Sequence, residues 1–442
     1  MKIYMSNVEL FDTNYTNMDK LIELSQSLNE PKWLLERRKN AYHTYQELPY
    51  DKDHLFYKYT TFKDFNPKSL THNWKYNGEG NHELLKTYEQ NLKPFMVETT
   101  NSLQSSLPED LQKLGVFFDT LHNLIKIDEV RAKKIISMVD KSTSKFDKLG
   151  SLSRAFAVNI IVLYVPKNVI ITEIIGKITQ INNSTTANFG EFIAIFEDGS
   201  QATYYNIYND NSSDNNAKLY SIIETVIVGD NARVKSFQLQ DFNPSAVFLL
   251  SKYSEINRYG VYRNLSHLQG GHLSRQNSFI DLIGDNAEGY DLFTMFGQNK
   301  QRFDVKSELK HTAKSTIGQT HARQVMMDKS EAVLRGLIVI PESGYDADSW
   351  LTTAGMTVGQ GKVNSIPALQ IDQNEVAAAH AASVEPLNEE LVFYLKARGV
   401  NEKEAREMLI KGYFEYVFKL FNDINSIEIL RDSLNLKWDL SL

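Results

Sequence analysis

The sequence predicts a mainly β protein whose strand-rich body is flanked by helical regions at both ends. From about residue 146, short apolar runs recur at 160–165, 192–196, 225–228, 279–283 and 337–340, separated by Gly, Asn, Asp and Ser clusters that supply turns. A turn sequence also echoes there: Val228-Gly-Asp-Asn-Ala-Arg-Val234 returns as Ile283-Gly-Asp-Asn-Ala-Glu-Gly289. Weaker versions stand at Glu197-Asp-Gly-Ser-Gln-Ala202 and Asp372-Gln-Asn-Glu-Val-Ala377. Each puts a tight polar turn before a small residue, which suits the corners of stacked rungs. The residues therefore read as a β-helix, with a sandwich or barrel of the same turn chemistry left open. Both ends of the chain carry helical spacing instead. The boundaries that result are an N-terminal helical region at 1–145, a β-helix core at 146–382 and a C-terminal helical region at 383–442.

In the first region Asn17 precedes a helical run, and Pro31 sits where a first turn tolerates it, with Trp33, Leu34 and Ala41 at helical spacing toward a core. Residues 114–120 read as an extended piece before a further helix. In the body, the polar stretches 182–186 and 209–214 read as exposed rung loops. Near its end Leu369 and Ile371 alternate with Gln370 and Asp372, as short extended segments do, and His380 is placed at the seam where strands give way to helix. After Pro386, Asn388 can cap a helix whose first turn holds Glu389 and Glu390, and Gly399 stops it. Asn401 with Glu404 forms a capping box for a last amphipathic run through Ala405, Met408, Leu409, Tyr413, Val417 and Leu420.

At 442 residues the chain can hold two or three structural units, and 42% hydrophobic with 23% charged residues is ordinary for a globular protein. A net charge of −7 argues against a nucleic-acid binder, which needs clustered cations. The basic runs Arg37-Arg38-Lys39 and Arg131-Ala-Lys133-Lys134 read as solvated helix faces. Cysteine is absent, which excludes disulfides, thiolate metal sites and a cysteine nucleophile and fits a cytoplasmic protein. The N-terminus lacks a signal pattern, and the most apolar run, 155–165, is shorter than the roughly 20 residues a membrane span needs.

Few motifs carry chemistry. Gly355 to Lys362 imitates a phosphate loop, but five residues separate Gly355 from Gly361 where four are required, and Val363 follows the lysine where Ser or Thr would hold magnesium. No His-Glu-x-x-His or Gly-x-Ser-x-Gly pattern occurs. Asp346 and Asp348 could share a face as paired acids if extended, yet beside Gly344 and Tyr345 they read as a loop. His380, within Ala377-Ala-Ala-His-Ala-Ala382, reads on its own as a partly buried structural histidine.

Several segments resemble one family in order. Glu30-Pro-Lys-Trp33 with Arg38, Ala41 and Leu48-Pro49, then Leu163-Tyr-Val-Pro-Lys-Asn-Val169, Gly270-Gly-His-Leu-Ser-Arg275, His311-Thr-Ala-Lys-Ser-Thr316 and Leu334-Arg-Gly-Leu-Ile338 are similar to segments of SufB and SufD proteins. Ala379-His-Ala-Ala-Ser-Val384, Leu387-Asn-Glu389, Phe393-Tyr-Leu395 and Arg398-Gly399 resemble the family's C-terminal signature. These are components of iron–sulfur cluster assembly. The resemblance implies a right-handed parallel β-helix flanked by helices, with no turnover of its own. It implies docking of a SufC-type ABC ATPase on the C-terminal helices, for which Leu387, Phe393, Tyr394, Arg398, Met408 and Tyr413 are the candidates, and pairing with a SufB-like subunit or a second copy. It implies no tightly bound cofactor, and it places His380 at the subunit interface as a candidate metal ligand for a transient cluster.

Two departures qualify the match. SufB proteins carry Glu where Ala381 stands, and counting back from His380 to their essential cysteine reaches Thr352. An alcohol cannot accept persulfide sulfur or bind iron as a soft thiolate. The resemblance is therefore closer to SufD. Two other readings compete: a homodimeric ATPase-binding adaptor without cluster chemistry, and a β-helix enzyme acting on carbohydrate.

Overall fold

The computed structural model describes residues 11–49, 62, 65–72, 95–99, 102–142, 147–181, 185–210 and 216–439. Its body is a two-sheet β-solenoid. Sixteen strands, from Asn159–Val165 to Val376–Pro386, alternate between two sheets, so each pairs in parallel with the strand two places on. These make about eight turns.

The corners explain the echo. Turns 197–200, 229–232, 283–287 and 372–375 all occupy one edge of the solenoid, where each feeds a strand of the second sheet. Backbone bonds link them from rung to rung, among them Gly199 N–H to Asp230 O, Asn231 N–H to Arg258 O and Asn286 N–H to Lys314 O, each at 2.8–3.1 Å. Gly199, Asn231, Tyr259, Asn286, Ser315 and Asp346 repeat a left-handed φ of 54–69° along this edge. Asn, Asp and Gly tolerate that conformation at least cost, which is why the echo is written in them.

The two ends differ. At the first rung the edge of one sheet is covered by the antiparallel strand Phe117–Thr120, and the other by Met96–Thr99 with Leu103–Ser105. Residues from before 145 thus enter both sheets. At the last rung, Lys362–Ile371 and Val376–Pro386 have no further strand among the described residues. There the sheets touch through glycines: Leu351 lies over Gly336 and Val363 over Gly355, where a Cβ would meet them at 2.1 and 2.4 Å.

Helices cover the outer faces. N-terminal helices α1 (Met18–Ser27), α2 (Lys32–Glu47), α3 (Glu109–Lys113), α4 (Leu121–Ser142) and α5 (Lys148–Phe156) include Leu34, Leu149, Leu152 and Phe156, which pack against the first sheet. C-terminal helices α6 (Glu389–Ala397), α7 (Glu402–Phe421) and α8 (Ile424–Asp439) bury Val392, Phe414, Val417 and Leu430 on the second, against Phe237, Leu265 and Leu292. Asn388 accepts from the Glu390 and Leu391 amides, Asn401 from the Glu404 amide, and Gly399 adopts φ +94° after α6. No described helix is long and apolar enough to cross a membrane.

Three readings change. Arg37 and Arg38 do not form a solvated face, because each is buried against acids that linear reading could not pair with it: Arg37 on Glu191 at 2.6 Å, and Arg38 on Glu30 at 2.6 Å. His380 is not at the seam, since its strand runs on to Pro386. Trp33 is only half-buried, its indole donating to Glu129 at 2.9 Å, while Leu34 takes the core position. The 182–184 and 211–214 parts of the expected rung loops lie outside the described residues.

Candidate functional site at the open end of the solenoid

The last rung presents two strand edges and an exposed apolar fringe. Leu369, Ile371 and Val384 are 38%, 39% and 48% exposed, and Trp350 on the preceding rung is 48% exposed. Unpaired strand edges with apolar side chains are templates for another chain's strands.

His380 sits in this rung, in register with Leu351 of the strand before. Leu351 points into the solenoid, so His380 shares the inward face, and it is exposed because no rung follows it. Alanines at 378 and 382 flank it on that face. It makes no side-chain hydrogen bond with the described residues, which leaves both ring nitrogens available.

The opposite face carries the two positions where the sequence departs from SufB. Ala381 pairs with Thr352, and Thr352 with His321, in one lateral row. A thiolate and a carboxylate here would be neighbours on adjacent strands; the row holds a methyl and an alcohol instead. His321 is buried, with Nε2 at 3.2 Å from the Gln319 side chain and Nδ1 at 3.3 Å from the Tyr416 hydroxyl of α7. Burial, helped by the Arg323 charge, pushes its pKa down to about 4, so it is neutral at physiological pH. The Arg323 guanidinium lies 5.3 Å from the Tyr413 ring and 4.3 Å from the Tyr416 ring. The helix is thereby fastened to the sheet beside the row. Among the described residues no group of three or more His, Asp or Glu side chains is placed to hold a metal ion. His380 therefore offers one imidazole at an edge, an incomplete ligand set.

The α6–α7 hairpin forms the adjoining surface. Phe393, Tyr394 and Met408 are 72%, 50% and 55% exposed, and Arg398 is exposed with its guanidinium 4.7 Å from the Tyr394 ring. Leu387 is buried and Tyr413 half-buried, so these two hold the hairpin from beneath and are not surface groups. Leu391, 47% exposed, belongs to the surface and was missed, although it lies one helical turn before Tyr394 and Leu395. Arg406 fixes the hairpin, reaching Glu389 at 2.9 and 3.0 Å and Glu402 at 3.0 Å.

The acids considered for carbohydrate chemistry are engaged elsewhere. Asp346 stands at a corner with φ +57° and accepts from Ser315, and Asp348 accepts from the Trp350 indole. The glycine run near Gly359 is a corner between strands Ala347–Thr357 and Lys362–Ile371.

Residues 179–413 match the family model described as SUF system FeS cluster assembly, SufBD core domain. Relatives carrying the name iron-sulfur cluster assembly SufBD family protein occur in Staphylococcus aureus, strains USA300 and N315, and in Staphylococcus epidermidis. Each is 22% identical over 415 residues, an alignment covering 89% of this chain and 87% of the relative.

Proposed function

The chain belongs to the SufBD family of iron–sulfur cluster assembly proteins, and from that premise we propose that it is a SufD-like, non-catalytic subunit of a SUF assembly complex. It pairs through the open rung with a SufB-like subunit, receives a SufC-type ATPase on the α6–α7 hairpin, and works in the cytoplasm. The observation that carries this reading is the contrast between the two solenoid ends, one covered by its own strands and the other left as an exposed, partly apolar edge holding a free imidazole.

The chemistry divides accordingly. The nascent cluster is cargo, and the chain brings to it an imidazole that can ligate iron while the partner supplies thiolate and carboxylate. ATP hydrolysis belongs to the ATPase, whose movement on the hairpin reaches the rung through the Tyr416–His321 contact and the buried base of α7. The row Thr352–Ala381 also favours a second reading, an ATPase-binding homodimeric adaptor with no part in cluster chemistry.

Two variants co-expressed with SufB-like and SufC-type partners test this. Val384→Lys sets an ammonium on the apolar edge and is expected to weaken pairing by about tenfold or more, read by size-exclusion chromatography. His380→Ala is expected to leave the complex assembled while cutting cluster yield, read by its visible absorbance. Unimpaired pairing of Val384→Lys would contradict the edge as interface. Full cluster yield in His380→Ala would give preference to the adaptor.

A further inference from the structure

The outer face of the second sheet carries a cleft that none of the roles above uses. It lies where strand Ile170–Gln180 leaves its register: Ile170 pairs with Gln201 but Ile174 with Thr203, so four steps on one strand oppose two on the other. The two extra residues form a bulge, a device that opens concavities in otherwise regular sheets. The cleft has a volume of about 380 Å³, with Ile170, Ile171 and Val261 on its apolar side and Arg233, Lys235 and Arg263 on its charged side.

The cations are what call for a ligand. Several other cations on the solenoid surface face a carboxylate one rung away: Lys362 faces Glu331 at 2.9 Å, Lys310 faces Asp281 at 3.2 Å, and Arg258 faces Asp230 at 3.5 Å. Lys235 and Arg263 instead stand directly opposite each other on adjacent strands, with Arg233 two residues from Lys235 on the same face. Like charges so placed repel. None of the three has a carboxylate within 4.0 Å among the described residues. The one acid lining the cleft, Glu288, accepts from the Tyr290 hydroxyl at 2.9 Å. Arg263 is held in place with its guanidinium 4.2 Å from the Tyr290 ring, and its buried Nε has no partner among the described residues. Lys235 donates to the Asn422 carbonyl, a neutral acceptor.

We propose that this cleft binds a phosphate ester, its phosphate gathered by Arg233, Lys235 and Arg263 and its apolar part resting on Ile170, Ile171 and Val261. A planar guanidinium with an unused donor suits a phosphate oxygen, and three cations around one concavity suit a dianion or larger charge. A cavity of this size, with an apolar side and few converging polar groups, is typical of small-molecule sites.

Calorimetric titration of the purified full chain with ADP, inorganic pyrophosphate and adenosine tests it. ADP is expected to bind more tightly than pyrophosphate, with adenosine weakest, and Arg233→Gln/Arg263→Gln to weaken ADP by about tenfold or more while the circular dichroism spectrum is unchanged. Arg263→Lys, which keeps charge but loses the fork, is expected to fall between. Absence of binding for both ADP and pyrophosphate below about 1 mM, equal affinity for the two, or unchanged affinity in the double variant would overturn the proposal.

Discussion

Replacing Glu191 with alanine is expected to lower the unfolding free energy by about 3–5 kcal/mol, the usual cost of breaking a buried ion pair from one side. Glu191 lies in strand Thr186–Phe196 and is 1% exposed. Arg37 of α2 reaches both its oxygens, at 2.6 and 2.7 Å, and Arg154 of α5 reaches it at 3.0 Å. Burial would raise its pKa, but the two guanidiniums override that and hold it at about 2. Without it, the carboxylate that both buried guanidiniums still share among the described residues is Asp140, whose side chain is 41% exposed. Because this carboxylate ties two helices to the first sheet, its loss should be felt as global destabilisation. Urea denaturation checks this, and a loss under about 1 kcal/mol would contradict it. Glu191→Gln, which keeps the shape and some hydrogen bonds, should lose less.

Mild acid should unfold the protein. Burial holds His72, His267, His311 and His321 each at about 4, down from 6.5. Between those values the unfolded chain binds up to four more protons than the folded one, so stability is full above pH 6.5 and falls as pH drops toward 4. Each shift corresponds to about 3 kcal/mol at most, and four together rival the total stability of about 5–15 kcal/mol of a typical protein. Below this window Glu30 and Glu191, both held at about 2 by arginine neighbours against the opposing effect of burial, lose their contribution as pH falls from 4.5 toward 2. Asp291, raised by burial, works the other way. Tryptophan fluorescence against pH should show a midpoint between about 4 and 5.5; a native signal persisting at pH 3 would contradict the account. His267 makes the transition a structural one. It bonds Thr294 and Gln269, and Gln269 bonds Ser433 of α8, so protonation also loosens the C-terminal helices.

Much of the solenoid was legible. The apolar runs at 160–165, 192–196, 225–228 and 337–340 lie inside strands, and the four echoed turns share one corner. Their irregular interval has a physical cause: the corners 257–260, 311–316 and 341–346 lie on the same edge without the echo, so successive echoes stand one, two and three turns apart. What linear reading could not supply was depth. Helical spacing marks Tyr413, and the resemblance marks Leu387, without saying that both are withdrawn from the surface that Phe393 and Met408 present. Arg37 looks solvated until a strand 154 residues on brings Glu191 under the helix, and Arg38 until Glu30 and the Ala155 carbonyl close around it. The face of His380 follows only from its register with Leu351. The cleft at Arg263 was invisible because its cations come from different rungs and its bulge leaves no sequence mark.

The central claim, that this chain is an assembly subunit recruiting an ATPase, is tested most directly by co-purification with a SufC-type ATPase from the same source. Removing the chain after 386 would strip the cover from the second sheet, so the control is Phe393→Glu/Met408→Glu on the exposed hairpin. The account predicts that the wild-type chain retains the ATPase and that the double variant, still folded by circular dichroism, loses it. A folded wild-type chain that retains no ATPase, or a double variant that retains it fully, would contradict the account.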